Sequence, residues 1–136
     1  MAIKRYFANK DNTITNAYEY NLKTRATGAN MGASDILETF SIYGQVSSSS
    51  GYSSELARAL IEFPVSTISA DRSAGTIPAS GSVNFVLKLY NAPHTQTLPK
   101  NFTLQVKPIS GSWQEGHGLD MDNYTDITRN KIGSNW

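Results

Sequence analysis

The sequence contains no cysteine, so disulfides and thiolate metal sites are both excluded, and stability must come from burial and hydrogen bonding. It has no surplus of either charge: 12 basic and 11 acidic side chains leave +1, with the basic residues scattered along the chain. Binding driven by phosphate contacts needs a concentrated basic face, so nucleic acid is not the expected partner. Long apolar runs are missing as well. The longest, such as Ala59-Leu60-Ile61, fall far short of the roughly 20 residues of a membrane span. The opening Met1, Ala2, Ile3, Lys4 and Arg5 lacks the following stretch of about 7 to 15 apolar residues that a secretory signal requires. No membrane partner is expected, and the absence of cysteine fits folding in a cytosol.

What the chain has in quantity is turn and strand chemistry. Serine and threonine make up 28 of its 136 residues, with 11 asparagines and 10 glycines, while charged residues are only 17%. That mixture disfavours helices and favours short strands joined by loops. The length lies below the roughly 150 residues of an average domain, so one domain over residues 1–136 is expected.

Residues 3–7 and 12–16 are β-prone, with Asn9, Lys10 and Asp11 as a turn between them. Residues 27–34 carry Gly28, Asn30 and Gly32, which accept positive φ, and predict an ordered loop. Residues 35–43 alternate, with Ile36, Phe40 and Ile42 on one face, and Gly44 ends the segment. The serine run 47–51 predicts a surface connector. Residues 55–60 favour helix by propensity, yet Ile61, Glu62 and Phe63 come directly after them and Pro64 stops the segment. A strand is expected there, with Ala57, Ala59, Ile61 and Phe63 inward, then a short helical turn over 65–70. The strongest alternation is at 83–90, with Val83, Phe85, Leu87 and Leu89 on one face. It predicts a central strand, with 102–106 as its antiparallel neighbour. Short strands, frequent turns and no helical crossover predict an all-β chain, an antiparallel β-sandwich with long Ser/Gly/Asn-rich loops.

Catalytic chemistry is thinly represented. The two histidines, His94 and His117, sit in expected loops, and no Gly-x-Ser-x-Gly turn presents a nucleophile. Gly28 and Gly32 lack the third glycine and the lysine of phosphate-binding loops, so no cofactor is expected. Glu62 and Glu115 are the acids nearest the expected strands, and nothing in the sequence pairs them as a glycosidase needs. Asp120, Asp122 and Asp126, with Asn123, could offer oxygen ligands to calcium. Their spacing lacks the glycine and closing glutamate of an EF-hand, and carboxylates capping turns are the preferred reading, so no metal is assigned. Trp113 is either a platform for stacking a sugar or, as preferred, a ring packed over the open end of the sandwich.

An ordered series of motifs adds to this reading. Asn30-x-Gly32-x-Ser34 precedes a strand, and Arg58-x-Leu60-x-x-Phe63 comes after it. Then come residues 83–90 with Leu87, Leu89 and Tyr90, then 102–106, and finally Trp113-x-Glu115-Gly116. The series resembles the DNRLRE, or disaggregatase-related, β-sandwich domains. With the opening six residues and the stretch 113–124, it resembles the N-terminal part of virion structural proteins of tailed, often marine, bacteriophages. The resemblance implies a jelly-roll-like sandwich and a non-enzymatic role as capsid decoration, tail appendage or fibre base. Other virion proteins, further copies of the chain and a host glycan are the partners it implies. Residues 133–136 then read as the entry to another strand of a longer virion protein. In such a particle an exposed sheet edge becomes a contact, and Ile3, Arg5 and Phe7 are the candidates for strand addition.

Overall fold

The computed structural model describes residues 3–19, 21–45, 52–79, 81–95, 97, 100–119 and 133–136. Three strands and one helix occur in the order β1 (Lys10–Thr15), β2 (Ser41–Gln45), β3 (Tyr52–Glu62) and α1 (Val65–Ser73). The strands form one antiparallel sheet in the order β1-β3-β2. Among the described residues regular structure is therefore strand apart from one short helix, and these residues do not form a helical body.

β3 organises the sheet. Its second half pairs with β1, from Lys10 opposite Glu62 to Thr15 opposite Ala57, and its first half pairs with β2, from Ser41 opposite Leu56 to Gln45 opposite Tyr52. This is why a segment with the helix-favouring run Glu55, Leu56, Ala57, Arg58 and Ala59 is a strand. Backbone partners along both halves outweigh a propensity difference of a few tenths of a kcal/mol per residue. The register also places Lys10 opposite Glu62, and their side chains form an ion pair of 3.2 Å. Pro64 lacks the N–H to continue the ladder, and α1 starts at the next residue, three residues longer than the turn expected. Beyond it Gly75, at φ 73°, closes the helix, with its N–H donating to the Arg72 carbonyl and the Thr76 N–H to Asp71.

The core is unusual in its chemistry. Its buried apolar residues are Ile14, Ala17, Ala26, Ala29, Met31, Ala57 and Ile77, four of them alanines, and the largest fully buried side chains are the polar Asn12, Asn30, Thr13 and Thr15. β1 is buried at every position from Asn12 to Thr15, instead of alternating, because both of its faces are covered. The threonines are satisfied there: Thr15 Oγ1 donates to the Leu56 carbonyl at 2.8 Å and accepts from the Ala17 N–H, and Thr13 Oγ1 accepts from the Glu38 N–H. Small side chains with complete hydrogen bonding take the place that large hydrophobic residues occupy in most sheets.

Several expectations are corrected. Residues 83–90 and 102–106 form no strand. The central place in the sheet belongs to β3, whose ladders are taken by β1 and β2, and Phe85, Leu87, Leu89, Phe102, Leu104 and Val106 are all exposed. Residues 3–7 form no strand either, and β2 begins at Ser41 and includes Gly44, leaving residues 35–40 outside it. Lys10 and Asp11 belong to β1 and not to a turn. Of the face expected to be inward on β3, Ala57 is buried while Ala59, Ile61 and Phe63 are half-buried. The serine run 47–51 lies outside the described residues.

Residues 3–7 are instead strapped to α1 by side chains. Tyr6 donates to Asp71 at 2.7 Å and Lys4 pairs with Asp71 at 3.1 Å. The Tyr6 bond first, and Lys4 next, hold the Asp71 carboxyl below its usual range. Burial first, and Asp71 next, push the Tyr6 phenol up. A lowered carboxyl contributes its full share above the ordinary value near 3.9 and loses it as pH falls through the folded value. A raised phenol contributes fully below about 10 and loses its share as pH rises through the folded value. Protection of residues 3–7, taken as exchange relative to the intrinsic rate at each pH, should therefore be greatest around neutrality and fall at both extremes, and Asp71→Asn should remove the acid limb. An acid limb that survives that substitution would show that the strap is held elsewhere.

Candidate functional site

The motifs at 30–34 and 113–118, remote in sequence, meet against β1. Asn12 Oδ1 accepts from the Met31 N–H at 2.8 Å and its Nδ2 donates to the Ser134 carbonyl at 2.9 Å. Asn30 Oδ1 accepts from the Gly118 N–H at 3.1 Å, and the Ala33 N–H donates to the Gly118 carbonyl. Glu115 Oε1 accepts from the Asp11 N–H at 3.0 Å, on the β1 backbone itself. Residues 133–136 close the group, with Ser134 and Gln114 bonded to each other twice and the Trp136 N–H donating to the Thr27 carbonyl.

Glycine is needed where these segments touch. A Cβ on Gly32 would overlap the Glu115 carbonyl, and one on Gly116, whose φ is 87°, would overlap the Asn30 side chain. Gly133, at φ 111°, lies against Gly116. The motif residues Asn30, Gly32, Glu115 and Gly116 thus form a polar clasp around β1. Asn12, its central member, carries no signal in the sequence beyond being an asparagine in a strand. Burial, and then the Glu115 charge, push the Asp11 carboxyl up.

Beside the clasp, Trp113 is half-buried and lines a cavity of about 420 Å³ with Ser112, Gln114, Gly133 and Ser134. The Lys10 ammonium lies 5.8 Å from the centre of its ring, and on the neighbouring strand the Arg58 guanidinium lies 4.2 Å from that of Trp136. The ring therefore does not disappear into a core. It borders an open recess whose remaining walls are hydroxyl, amide and backbone groups, the composition that orients a small polar ligand.

The other expected site residues are dispersed. Ile3, Arg5 and Phe7 are exposed, Ile3 and Phe7 at 81% each, because the alternate residues Lys4 and Tyr6 face α1. They share an outward edge of the strap. Glu62 is engaged by Asn9 and Lys10, and Glu115 by the Asp11 backbone, so the two acids have separate partners. His94 lies within 3.2 Å of Asn91 on the surface, and His117 is exposed between the two glycines of the clasp. Asp120, Asp122 and Asp126, with Asn123, lie outside the described residues. Among the described residues no group of three or more His, Asp or Glu side chains could hold a metal ion, and no helix is long and apolar enough to cross a membrane.

No family model matches the chain, and no curated protein or solved structure matches it either.

Proposed function

We propose that the chain is a non-enzymatic structural protein of a tailed bacteriophage particle, a decoration, appendage or fibre-base component that folds in the host cytoplasm and works among other virion proteins and further copies of itself. The finer architecture belongs to the same reading: a jelly-roll-like sandwich of the DNRLRE type in one domain. The observation that carries it is the apolar surface left uncovered. Ile3, Phe7, Phe85, Val86, Tyr90, Phe102 and Val106 are each more than 60% exposed. A subunit made to be covered by neighbours has this surface. The alternation of Ile3, Arg5 and Phe7 on the outer edge of the strap supports their role as the contact to the particle.

Removing residues 1–7 should abolish incorporation into particles while leaving β1, β3 and the clasp folded, since among the described residues the strap's side chains are bonded to α1 at Asp71. Circular dichroism of the shortened chain and its recovery in purified particles are the two measurements. Incorporation at the full-length level would rule out the strap as the attachment point. A map of intact particles in which density for this chain is missing would rule out the virion role itself.

The cavity beside Trp113 favours a second reading, a carbohydrate-binding module for host-surface glycans. A half-buried indole bordering a recess walled by amide and hydroxyl groups is an arrangement that can take a sugar ring. Under that reading Trp113→Ala should lower glycan affinity by tenfold or more, about 1.4 kcal/mol, without moving the unfolding midpoint by a comparable amount. A glycan array that stays silent with the intact chain would remove this alternative.

A further inference from the structure

We propose that residues 83–90 and 102–109 are the two strands of an exchange arm, and that the arm completes the sheet of a second copy of this chain by laying residues 83–90 along the free edge of β2. The proposal rests on the reading of the chain as an assembly subunit and names the contact that reading leaves open.

Four observations carry it. The first is pattern without partner. Residues 83–90 have the strongest period-two alternation in the chain, yet among the described residues no backbone hydrogen bond joins 83–90 or 102–109 to another segment, and the side-chain contact of Phe85 is with the Arg72 guanidinium, 6.0 Å from its ring centre. The segment runs through residues 83–94 with no helix, turn or bend. Its apolar residues include Val86 at 84% and Tyr90 at 81% exposure.

The second is area. A compact monomer of 14.9 kDa exposes about 7,000 Å², whereas this chain exposes 10663 Å². The excess, on the order of 3,500 Å² on one chain, is more than the roughly 1,000–2,500 Å² that an obligate interface covers on each partner, so one such contact would cover a large part of it.

The third is a free edge. β2 pairs with β3 on one side, and its other side accepts no described backbone partner. Ile42, on β2, is 49% exposed. An unpaired edge accepts a strand from another chain through main-chain bonds, with alternate side chains setting the register. The edge of β1 is less open, because Asp11 and Met31 already bond there to and from side chains and Ile14 bridges to Asn30.

The fourth is charge. Residues 83–110 contain Lys88, Lys100 and Lys107 and no acid, while residues 31–45 contain Asp35 and Glu38 and no base. Two copies exchanging arms would bring these opposite stretches together, and two copies meeting arm to arm would not. Gly81, at φ 100°, precedes the arm and Gly111 stands just beyond it, so both ends have the backbone freedom that exchange of an element between protomers uses.

The absence of cysteine makes the test direct, because any thiol introduced is the sole one in its chain. Ile42→Cys would be made in one chain, and Phe85→Cys, Leu87→Cys and Leu89→Cys in three others of distinguishable mass, so that one arm position meets β2 whatever the register. After co-refolding and treatment with a short bismaleimide, the mixture should give a covalent heterodimer several-fold above the background from unrelated thiols such as Ser66→Cys on α1. Circular dichroism checks that each variant is folded. A link that forms only inside one chain carrying both Ile42→Cys and an arm thiol would overturn the proposal, placing the arm in its own sheet. So would the absence of any link from a chain that is oligomeric by light scattering, or a monomeric chain. The assembly reading fails separately: linked dimers that never enter particles would refute it and leave the exchange arm standing, and incorporation without any arm link would do the reverse.

Discussion

Gly116→Ala should be among the most damaging single-methyl additions in the chain, lowering the free energy of unfolding by about 3–5 kcal/mol, a large part of the 5–15 kcal/mol that domains typically have. Two separate costs meet at this residue. Its φ of 87° is one that a residue with a Cβ adopts only with strain, and the added carbon would overlap the Asn30 side chain. An amide at the end of a side chain could normally swing aside, but Asn30 is 1% exposed and its Oδ1 holds the Gly118 N–H. Three other glycines separate the contributions. Gly75→Ala carries the φ cost alone, since nothing lies within 4 Å of its added carbon, and should lose about 1 kcal/mol. Gly32→Ala carries the overlap alone, against the Glu115 carbonyl, and should lose about 2–3 kcal/mol. Gly111→Ala has neither and should stay within about 0.5 kcal/mol. Urea midpoints with unchanged slopes give the four values. Pairing Gly116→Ala with Asn30→Ala should cost less than the sum of the two, because removing the amide relieves the overlap. Strict additivity would mean that the clasp does not close as described.

The same residues show what the sequence could and could not reveal. β3 was legible against its own helix propensity, because Pro64 limits the segment to a length that suits a strand and the apolar residues continue through Phe63. α1 was legible from the residues after that proline. The alternation at 83–90 was equally clear, yet it led to a wrong place in the sheet. Period two reports that one face of a segment is to be covered and is silent about what covers it, which is a property of distant chain. The threonines and asparagine of β1 marked a strand but gave no sign of its burial, which hydrogen bonds to Glu38, Leu56, Ala17, Met31 and Ser134 make possible on both faces. For the candidate site, the glycines and Asn30 stood out locally as an ordered loop. Their meeting with Glu115 and Gly116 depends on a return of the chain across some 80 residues, which no local pattern encodes.

Substitutions at Asn12 test whether that return is held by the buried amide. The side chain is fully buried, and its two ends hold two different segments: the oxygen takes the Met31 N–H of the 27–34 loop and the nitrogen gives to the Ser134 carbonyl. Asn12→Ala strands a buried N–H and leaves a small void, and should lower stability by about 2–4 kcal/mol. Asn12→Asp keeps the acceptor toward Met31, but in its ionised form sets a carboxylate against the Ser134 carbonyl with no water to screen either. Burial raises the pKa of the introduced acid above the ordinary value near 3.9. With a raised folded value, its contribution is intact below that ordinary range and is lost as pH rises through the folded one, so the variant should be closest to the parent in acid and weakest at neutral pH. That slope is opposite in sign to the one Asp71 gives the parent, whose carboxyl is lowered. The readout is built into the molecule: Trp136 stacks 4.2 Å from the Arg58 guanidinium and Trp113 borders the adjoining cavity, so release of residues 133–136 should change indole fluorescence before the sheet unfolds. If Asn12→Asp proves as stable at neutral pH as in acid, with fluorescence unchanged, the segment bearing Ser134 is not fastened through β1, and the clasp must be held by Glu115 and Asn30 alone.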